Sequence, residues 1–118
     1  MINLIAAVGL RDQIGLNGEL PWRNSEDLKW FKSLTMNGIV VVGFNTFKTL
    51  PTLPGRLVVN MGYKTPTSVI KEYGKDLWIA GGAKTYQQWF PYIERYYISR
   101  IPYDGDADTY FPKLIIGR

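Results

Sequence analysis

Asp27 falls on the apolar stripe of its own segment. In Leu20-Pro21-Trp22-Arg23-Asn24-Ser25-Glu26-Asp27-Leu28-Lys29-Trp30-Phe31-Lys32-Ser33-Leu34, the positions three, four and seven residues after Asp27 are Trp30, Phe31 and Leu34. Lys29, Lys32 and Ser33 lie largely off that stripe. Two readings follow. As a first-turn residue the carboxylate caps amide groups or is favoured by the helix dipole, by about 0.3–1 kcal/mol. As the lining of a cleft it is desolvated, its pKa rises, and a cationic or amide-like ligand edge satisfies it.

A second set of residues suits an anion. Leu77-Trp78-Ile79-Ala80 reads as a strand, Gly81-Gly82 follow at once, and Ala83-Lys84-Thr85-Tyr86-Gln87-Gln88-Trp89-Phe90 reads as a helix stopped by Pro91. Glycines let backbone approach a pyrophosphate, and a helix start supplies donors and positive potential; a diglycine here is equally compatible with a plain turn. Neither standard nucleotide fingerprint is met. No glycine stands two places before Gly81, and Gly82-Ala83-Lys84-Thr85 has one residue too many between Gly and Lys for a Walker A loop. Asp104, Asp106 and Asp108 suggest calcium by their spacing, yet an EF-hand needs a helical frame and a glutamate where Ile115 stands. No metal is expected.

Composition removes whole classes of chemistry. The chain has no histidine and no cysteine, which excludes Ser-His triads, imidazole acid/base work, thiolate nucleophiles, disulfides, and zinc held by His or Cys. Proton chemistry falls to Asp, Glu, Lys, Tyr or water. The net charge of +4 admits an anionic partner, but the basic residues are scattered, which suits a small anion better than nucleic acid. No apolar run approaches the roughly 20 residues of a membrane span, and Met1-Ile2-Asn3 lacks the basic start of a signal peptide. A cytoplasmic protein with no membrane partner is expected. At 118 residues and 46% hydrophobic, it fits one domain, residues 1–118, burying about two thirds of its unfolded surface.

The positioning elements read as alternating strands and helices. Ile2–Val8 is an almost unbroken apolar run, as in a strand covered on both faces. Gly9 to Gly18, with Gly15 and Asn17-Gly18, forms a loop leading to Leu20-Pro21-Trp22. Asn24 and Ser25 are good N-caps for the Asp27 helix. Ile39–Val42 is a β-branched strand ended by Gly43, and Gly43-Phe44-Asn45-Thr46 opens a short helix reaching Leu50. Leu53-Pro54-Gly55 turns the chain into a strand over Arg56–Met61, and Thr67 to Tyr73 forms a short helix closed by Gly74. Arg95–Ile101 is a further strand with Tyr97, Ser99 and Ile101 on one face. Phe111-Pro112-Lys113 turns the chain toward Leu114-Ile115-Ile116. This order predicts an α/β fold: a mainly parallel twisted sheet with helices on both faces, and ligands gathered at the strands' carboxyl ends.

The chain resembles dihydrofolate reductases of the chromosomal bacterial type. The matching stretches are Ile2 through Val8, Ile14-Gly15, Leu20-Pro21-Trp22, Asp27-Leu28 with Trp30-Phe31-Lys32, Gly43 with Thr46, Leu53-Pro54-Gly55-Arg56, Gly81-Gly82 with Tyr86, and Asp108-Thr109 with Phe111-Pro112. Each is modest alone; their common order and spacing make the match specific. The resemblance implies reduction of 7,8-dihydrofolate to tetrahydrofolate by hydride transfer from NADPH to pterin C6, with protonation at N5, and antifolates as further ligands.

By that resemblance Asp27 is the essential carboxylate, holding the pterin's 2-amino and N3–H edge. Trp22 orders a nearby water, Leu20 belongs with it to the catalytic set, and Ser99 stands where the family has a threonine bonded to the carboxylate. Ile5, Ala7, Leu20, Leu28, Phe31, Lys32, Leu50 and Leu53 line the substrate pocket, and Arg56 forks onto the glutamate α-carboxylate. Ala7, Ile14, Gly15, Asn17 and Gly18 cover the nicotinamide side. Gly43, Asn45, Thr46, Gly81, Gly82, Ala83, Lys84 and Thr85 hold cofactor phosphates and ribose, with Tyr86 near the nicotinamide.

The chain departs from the family in several places, among them Met61-Gly62 where serine or threonine partners are expected and Ala80 where the family has a bulkier apolar residue. Phe44 takes the place of an arginine that grips the NADPH 2′-phosphate, leaving Lys64 or Lys84 to compensate. The stretch between Met61 and Leu77 is compressed. The family continues past Phe111-Pro112 with an antiparallel hairpin, so the strand bearing Tyr97 and Ile101 is expected to present an open edge, covered by a second subunit in a homodimer or left open in a marginally stable monomer. The competing readings are a non-catalytic folate- or nucleotide-binding or structural protein on the same fold, and a related pterin or pyrimidine reductase.

Overall fold

A computed structural model describes residues 1–22, 25–51 and 53–113. β1 (Ile2–Val8), with its continuous apolar run, is an interior strand with a parallel neighbour on each side. The chain continues through β2 (Gln13–Gly15), α1 (Ser25–Thr35), β3 (Ile39–Val42), α2 (Phe44–Thr49), β4 (Leu57–Asn60), α3 (Pro66–Tyr73), β5 (Leu77–Ile79), α4 (Ala83–Trp89), a 3₁₀ turn (Phe90–Tyr92), β6 (Arg95–Arg100) and β7 (Thr109–Tyr110). Five strands form one sheet in the order β4-β3-β5-β1-β6, every neighbouring pair parallel. The expected mainly parallel sheet is therefore present.

Strand periodicity sorts the core into two faces. Ile2, Leu4, Ala6 and Val8 join Val41, Val59, Leu77 and Ile79 under Val69 of α3 and Tyr86 and Trp89 of α4. The opposite face carries Ile5, Val40 and Val42, all buried, and the rings of Trp78 and Tyr97, 5.1 Å apart. On this side α1 and β6 share a cleft, so helices lie on both faces. Registers of Ile5 with Tyr97 and Ala7 with Ser99 put those side chains together.

Local chemistry explains the boundaries. Thr65 and Ser68 form a reciprocal capping box on α3 with Pro66 in the first turn, so the helix begins one residue before the expected Thr67. Pro91 does not stop α4 at Phe90; the helix closes at Trp89 and Pro91 sits within the 3₁₀ turn, where its fixed φ is tolerated. The Gly9–Gly18 loop holds more order than expected. Asn17 and Gly18 both have positive φ between bridged Leu16 and Glu19, as a tight hairpin turn requires. β2 pairs antiparallel with β7. The expected cap Asn24 and the run Leu114-Ile115-Ile116 lie outside the described residues.

Among the described residues β6 is an edge strand. Tyr96 and Ile98 stand 41% and 38% exposed on it. No described helix is long and apolar enough to cross a membrane.

Candidate active site

The Asp27 stripe points where its period requires. Asp27, Trp30, Phe31 and Leu34 are half-buried, while Glu26, Leu28, Lys29 and Ser33 are exposed. The stripe is less buried than a core stripe because it lines an open cleft of about 290 Å³, whose walls include Asp27 and Trp30 from α1, Ser99 from β6, and Ile101 and Pro102 beyond it. Desolvation drives the Asp27 carboxyl above its ordinary value. Ile5 is buried on the same face; Ala7 is half-buried and opposite Ser99 in register.

Two loops at the ends of adjacent strands are laced together beside the cleft. Gln13, fully buried, accepts from Arg11 N at 2.8 Å and donates to Gly105 O at 3.1 Å. Arg11 pairs with Asp104, and Arg100 donates to Gly9 O and Asp12. The Asn17 amide donates to Asp108 at 2.9 Å and the Asp108 amide to Gly15 O at 2.9 Å, so Gly15 and Asn17 are tied to the segment before β7. Asp104 and Asp108 are both held below the usual carboxylate range, by Arg11 and by the Asn17 amide respectively. Among the described residues no acidic group forms a metal-binding cluster. Ile14 is half-buried on β2, Gly18 is exposed at the turn, and Leu20 is 54% exposed at the far end of the loop.

Arg56 sits at the other end of α1. Its Nε donates to Thr35 Oγ1 at 2.8 Å, Nη1 to Pro54 O at 2.6 Å, and Nη2 to Lys32 O. Satisfying a carbonyl of the helix's last turn fixes the guanidinium plane. Further N–H groups on both terminal nitrogens take no part in these bonds, which leaves a fork suited to a carboxylate. Leu53 is buried beside this turn, and Leu50 closes α2 with its amide donating to Thr46 O.

The anion-suited residues converge because β3 and β5 are neighbours. The Gly43 amide donates to Gly81 O at 2.8 Å, so α2 and α4 start side by side, with N-caps Gly43 and Gly82 and no side-chain cap on either. A Cβ on Gly43 would lie 2.5 Å from Thr85 Oγ1; one on Gly82 would meet only Thr46 Oγ1, at 3.3 Å. Gly81, at φ +133, adopts a backbone that L side chains avoid. Thr85 and Tyr86 are buried, whereas Asn45 and Lys84 are exposed and Ala83 half-buried. A pyrophosphate-bearing ligand fits this cradle: uncapped amides, no Cβ at the closest backbone, and a threonine hydroxyl alongside.

Tyr86 joins the two regions. Its hydroxyl donates to Ile5 O at 2.8 Å, and its pKa is driven up first by burial and then by the negative charge of Asp27. The sequence reading missed two residues. Lys48 holds its Nζ 4.6 Å from the ring centroid of Phe44, which is 57% exposed at the first position of α2; the i, i+4 spacing was the available signal. Tyr103 packs its ring at a tilt against Trp22, a contact between distant segments that no local pattern reveals.

A family model described as dihydrofolate reductase matches residues 1–116. The chain is 32% identical to a protein named dihydromethanopterin reductase from Methylorubrum extorquens, over 98% of this chain and 94% of that protein. It is 32% identical to dihydrofolate reductase from Buchnera aphidicola subsp. Schizaphis graminum, over 95% of this chain and 79% of that one. Among solved structures it is similar to Enterococcus faecalis dihydrofolate reductase complexed with NADP(H) and RAB-propyl: TM-score 0.87, 25% identity, 98% of this chain and 79% of that chain.

Proposed function

Because this chain belongs to the dihydrofolate reductase family, we propose that it reduces 7,8-dihydrofolate to 5,6,7,8-tetrahydrofolate in the cytoplasm, with NADPH as donor and Asp27 as the group that binds the pterin. The observation that carries this reading is Asp27 itself, a carboxylate on an apolar helix stripe, desolvated in a cleft shared with Ser99, in a chain without histidine.

The roles follow from the chemistry. Asp27 accepts hydrogen bonds from the pterin 2-amino and N3–H groups, with the Ser99 hydroxyl beside it. Its negative charge in a low-dielectric cleft favours the substrate protonated at N5, the atom that must gain a proton as the C6=N5 bond is reduced. The buried indole N–H of Trp22, which has no acceptor among the described residues, suits a water on that proton's route. NADPH, when bound, supplies the hydride delivered to C6. Gly43, Asn45, Thr46, Gly81, Gly82, Ala83 and Lys84 hold its phosphates and ribose, Thr85 supports Gly43 from beneath, and Tyr86 fixes the backbone at Ile5. Ala7, Ile14, Gly15, Asn17 and Gly18 cover the nicotinamide. Lys48, poised over Phe44 at the first position of α2, supplies a cation on that helix.

Ile5, Leu20, Leu28, Phe31, Leu50 and Leu53 enclose the pterin and benzoyl group, with Lys32 at the rim and Arg56 forking onto the glutamate α-carboxylate. A second reading is favoured by the relative named dihydromethanopterin reductase, matched over 94% of its own length: a dihydropterin reductase whose substrate is a pterin other than dihydrofolate. NADPH consumption, measured with dihydrofolate and with 7,8-dihydrobiopterin, separates the two. Preference for dihydrofolate supports the first, preference for the tail-less pterin the second, and no turnover with either reduces the chain to a binding or structural protein. The β6 edge is where a second copy would extend the sheet; sedimentation of a stable monomer removes that homodimer.

A further inference from the structure

We infer that Tyr103 is a positioning residue for Trp22, fixing the direction of the buried indole N–H; this inference rests on the reductase reading above. Tyr103 follows Ile101 and Pro102, which line the Asp27 cleft. Its ring centroid lies 5.6 Å from that of Trp22 at an interplanar angle of 50°, within the range of a favourable tilted aromatic pair. Among the described residues no other ring contacts Trp22. With no acceptor for Nε1 among the described residues, the indole orientation is set by packing, and Tyr103 supplies an aromatic face for it.

Tyr103 is itself held from three sides. Its amide donates to Ile101 O at 2.7 Å, its carbonyl accepts from Leu10 N at 2.8 Å, and its hydroxyl donates to Asp106 O at 2.6 Å. Two glycines make room for it. A Cβ on Gly105 would lie 2.6 Å from the Tyr103 hydroxyl oxygen and 2.7 Å from Cζ, and one on Gly9 would lie 2.9 Å from the Tyr103 carbonyl. The Leu10 bond anchors the ring to the loop leaving β1, the loop that runs on to Trp22. A ring locked in this way converts the order of two crossing loops into one orientation of an indole N–H.

The test is a double-mutant cycle on the full chain, built from Tyr103→Ala and Trp22→Phe, with turnover, NADPH affinity by fluorescence titration and thermal midpoint measured for each. Tyr103→Ala is expected to lower kcat about tenfold, in line with the cost of misplacing a catalytic constellation, with NADPH affinity unchanged. In the Trp22→Phe background the same change is expected to lower kcat by less than about twofold, because the group it positions is gone. Tyr103→Phe keeps the ring and is expected to recover most of the loss. Equal loss in both backgrounds, or a wild-type kcat in Tyr103→Ala, overturns the role. If Tyr103→Ala does not fold, Tyr103→Leu takes its place in the cycle with the same criteria. A wild-type chain that turns over neither pterin overturns the reductase reading and this role together, whereas additive effects in an active enzyme overturn this role alone.

Discussion

The cleft and the cradle, each at the carboxyl ends of parallel strands, are built from opposite materials. In the cleft the working groups are side chains on α1 and β6, half-exposed, and the decisive quantity is how far burial displaces one carboxylate. In the cradle they are backbone amides at the ends of β3 and β5, and the decisive quantity is the room left where a Cβ would stand. A substitution in the cleft should therefore alter chemistry and spare the frame, and one in the cradle should do the reverse. Tyr86 is answerable to both, through its bond to Ile5 O and the charge of Asp27.

The largest expected effect lies in the cleft. Asp27→Asn keeps the shape but removes the charge and turns one acceptor into a donor, and should lower kcat/KM for dihydrofolate about 10²–10⁴-fold near neutral pH, the usual scale for a positioned acid/base group. NADPH affinity should be unchanged. A variant with wild-type turnover would break the assignment of Asp27, and one that also lost NADPH would break the separation of the regions. The mirror experiment is Gly43→Ala. The new methyl would stand 2.5 Å from an oxygen of buried, β-branched Thr85, an overpacking cost of about 1–3 kcal/mol. Calorimetry should show a lower melting temperature and weaker NADPH binding, with dihydrofolate affinity little altered.

Arg56→Ala gives a smaller effect and divides the cleft itself. Losing a charge-assisted fork costs about 1.5–3 kcal/mol, so KM for dihydrofolate should rise at least about tenfold while that for 7,8-dihydrobiopterin stays put. Because Arg56 also ties Thr35, Pro54 and Lys32 together, a modest fall in stability should accompany it. Equal changes in KM for the two pterins would leave Arg56 as a helix clamp only.

The same division governs what the sequence made legible. The strands and the start of the α4 cradle were readable because Ile2–Val8, Ile39–Val42 and Gly81-Gly82 carry their signal locally, in runs and punctuation. Asp27 was readable as an anomaly in a helical period. The β2–β7 pairing, Tyr103 on Trp22, Thr85 beneath Gly43, and buried Gln13 were not, because each depends on a partner from 42 to 97 residues away along the chain, or on loop closure that no window contains. The 3₁₀ turn at Phe90–Tyr92 was missed for another reason: proline forbids a helix interior but suits a tight first turn.

The finest test of the contrast is the pH dependence of stability. Burial raises the Asp27 pKa in the folded state above its ordinary value of 3.8. Between those two values the folded chain binds more protons at this site than the unfolded chain, so the unfolding free energy contributed by Asp27 falls as pH rises through the window. Above the raised pKa the penalty is fully in place; below the ordinary value it vanishes. Asp27→Asn removes this term, so its melting temperature relative to wild type should climb from pH 3.5 to pH 7. Asp104 and Asp108, displaced downward, contribute with the opposite sign, but they are common to both chains and cancel in the difference. A wild type that gained on the variant as pH rose would mean that the carboxylate is better solvated or paired when folded than when unfolded, and the cleft would then differ from the cradle in composition alone.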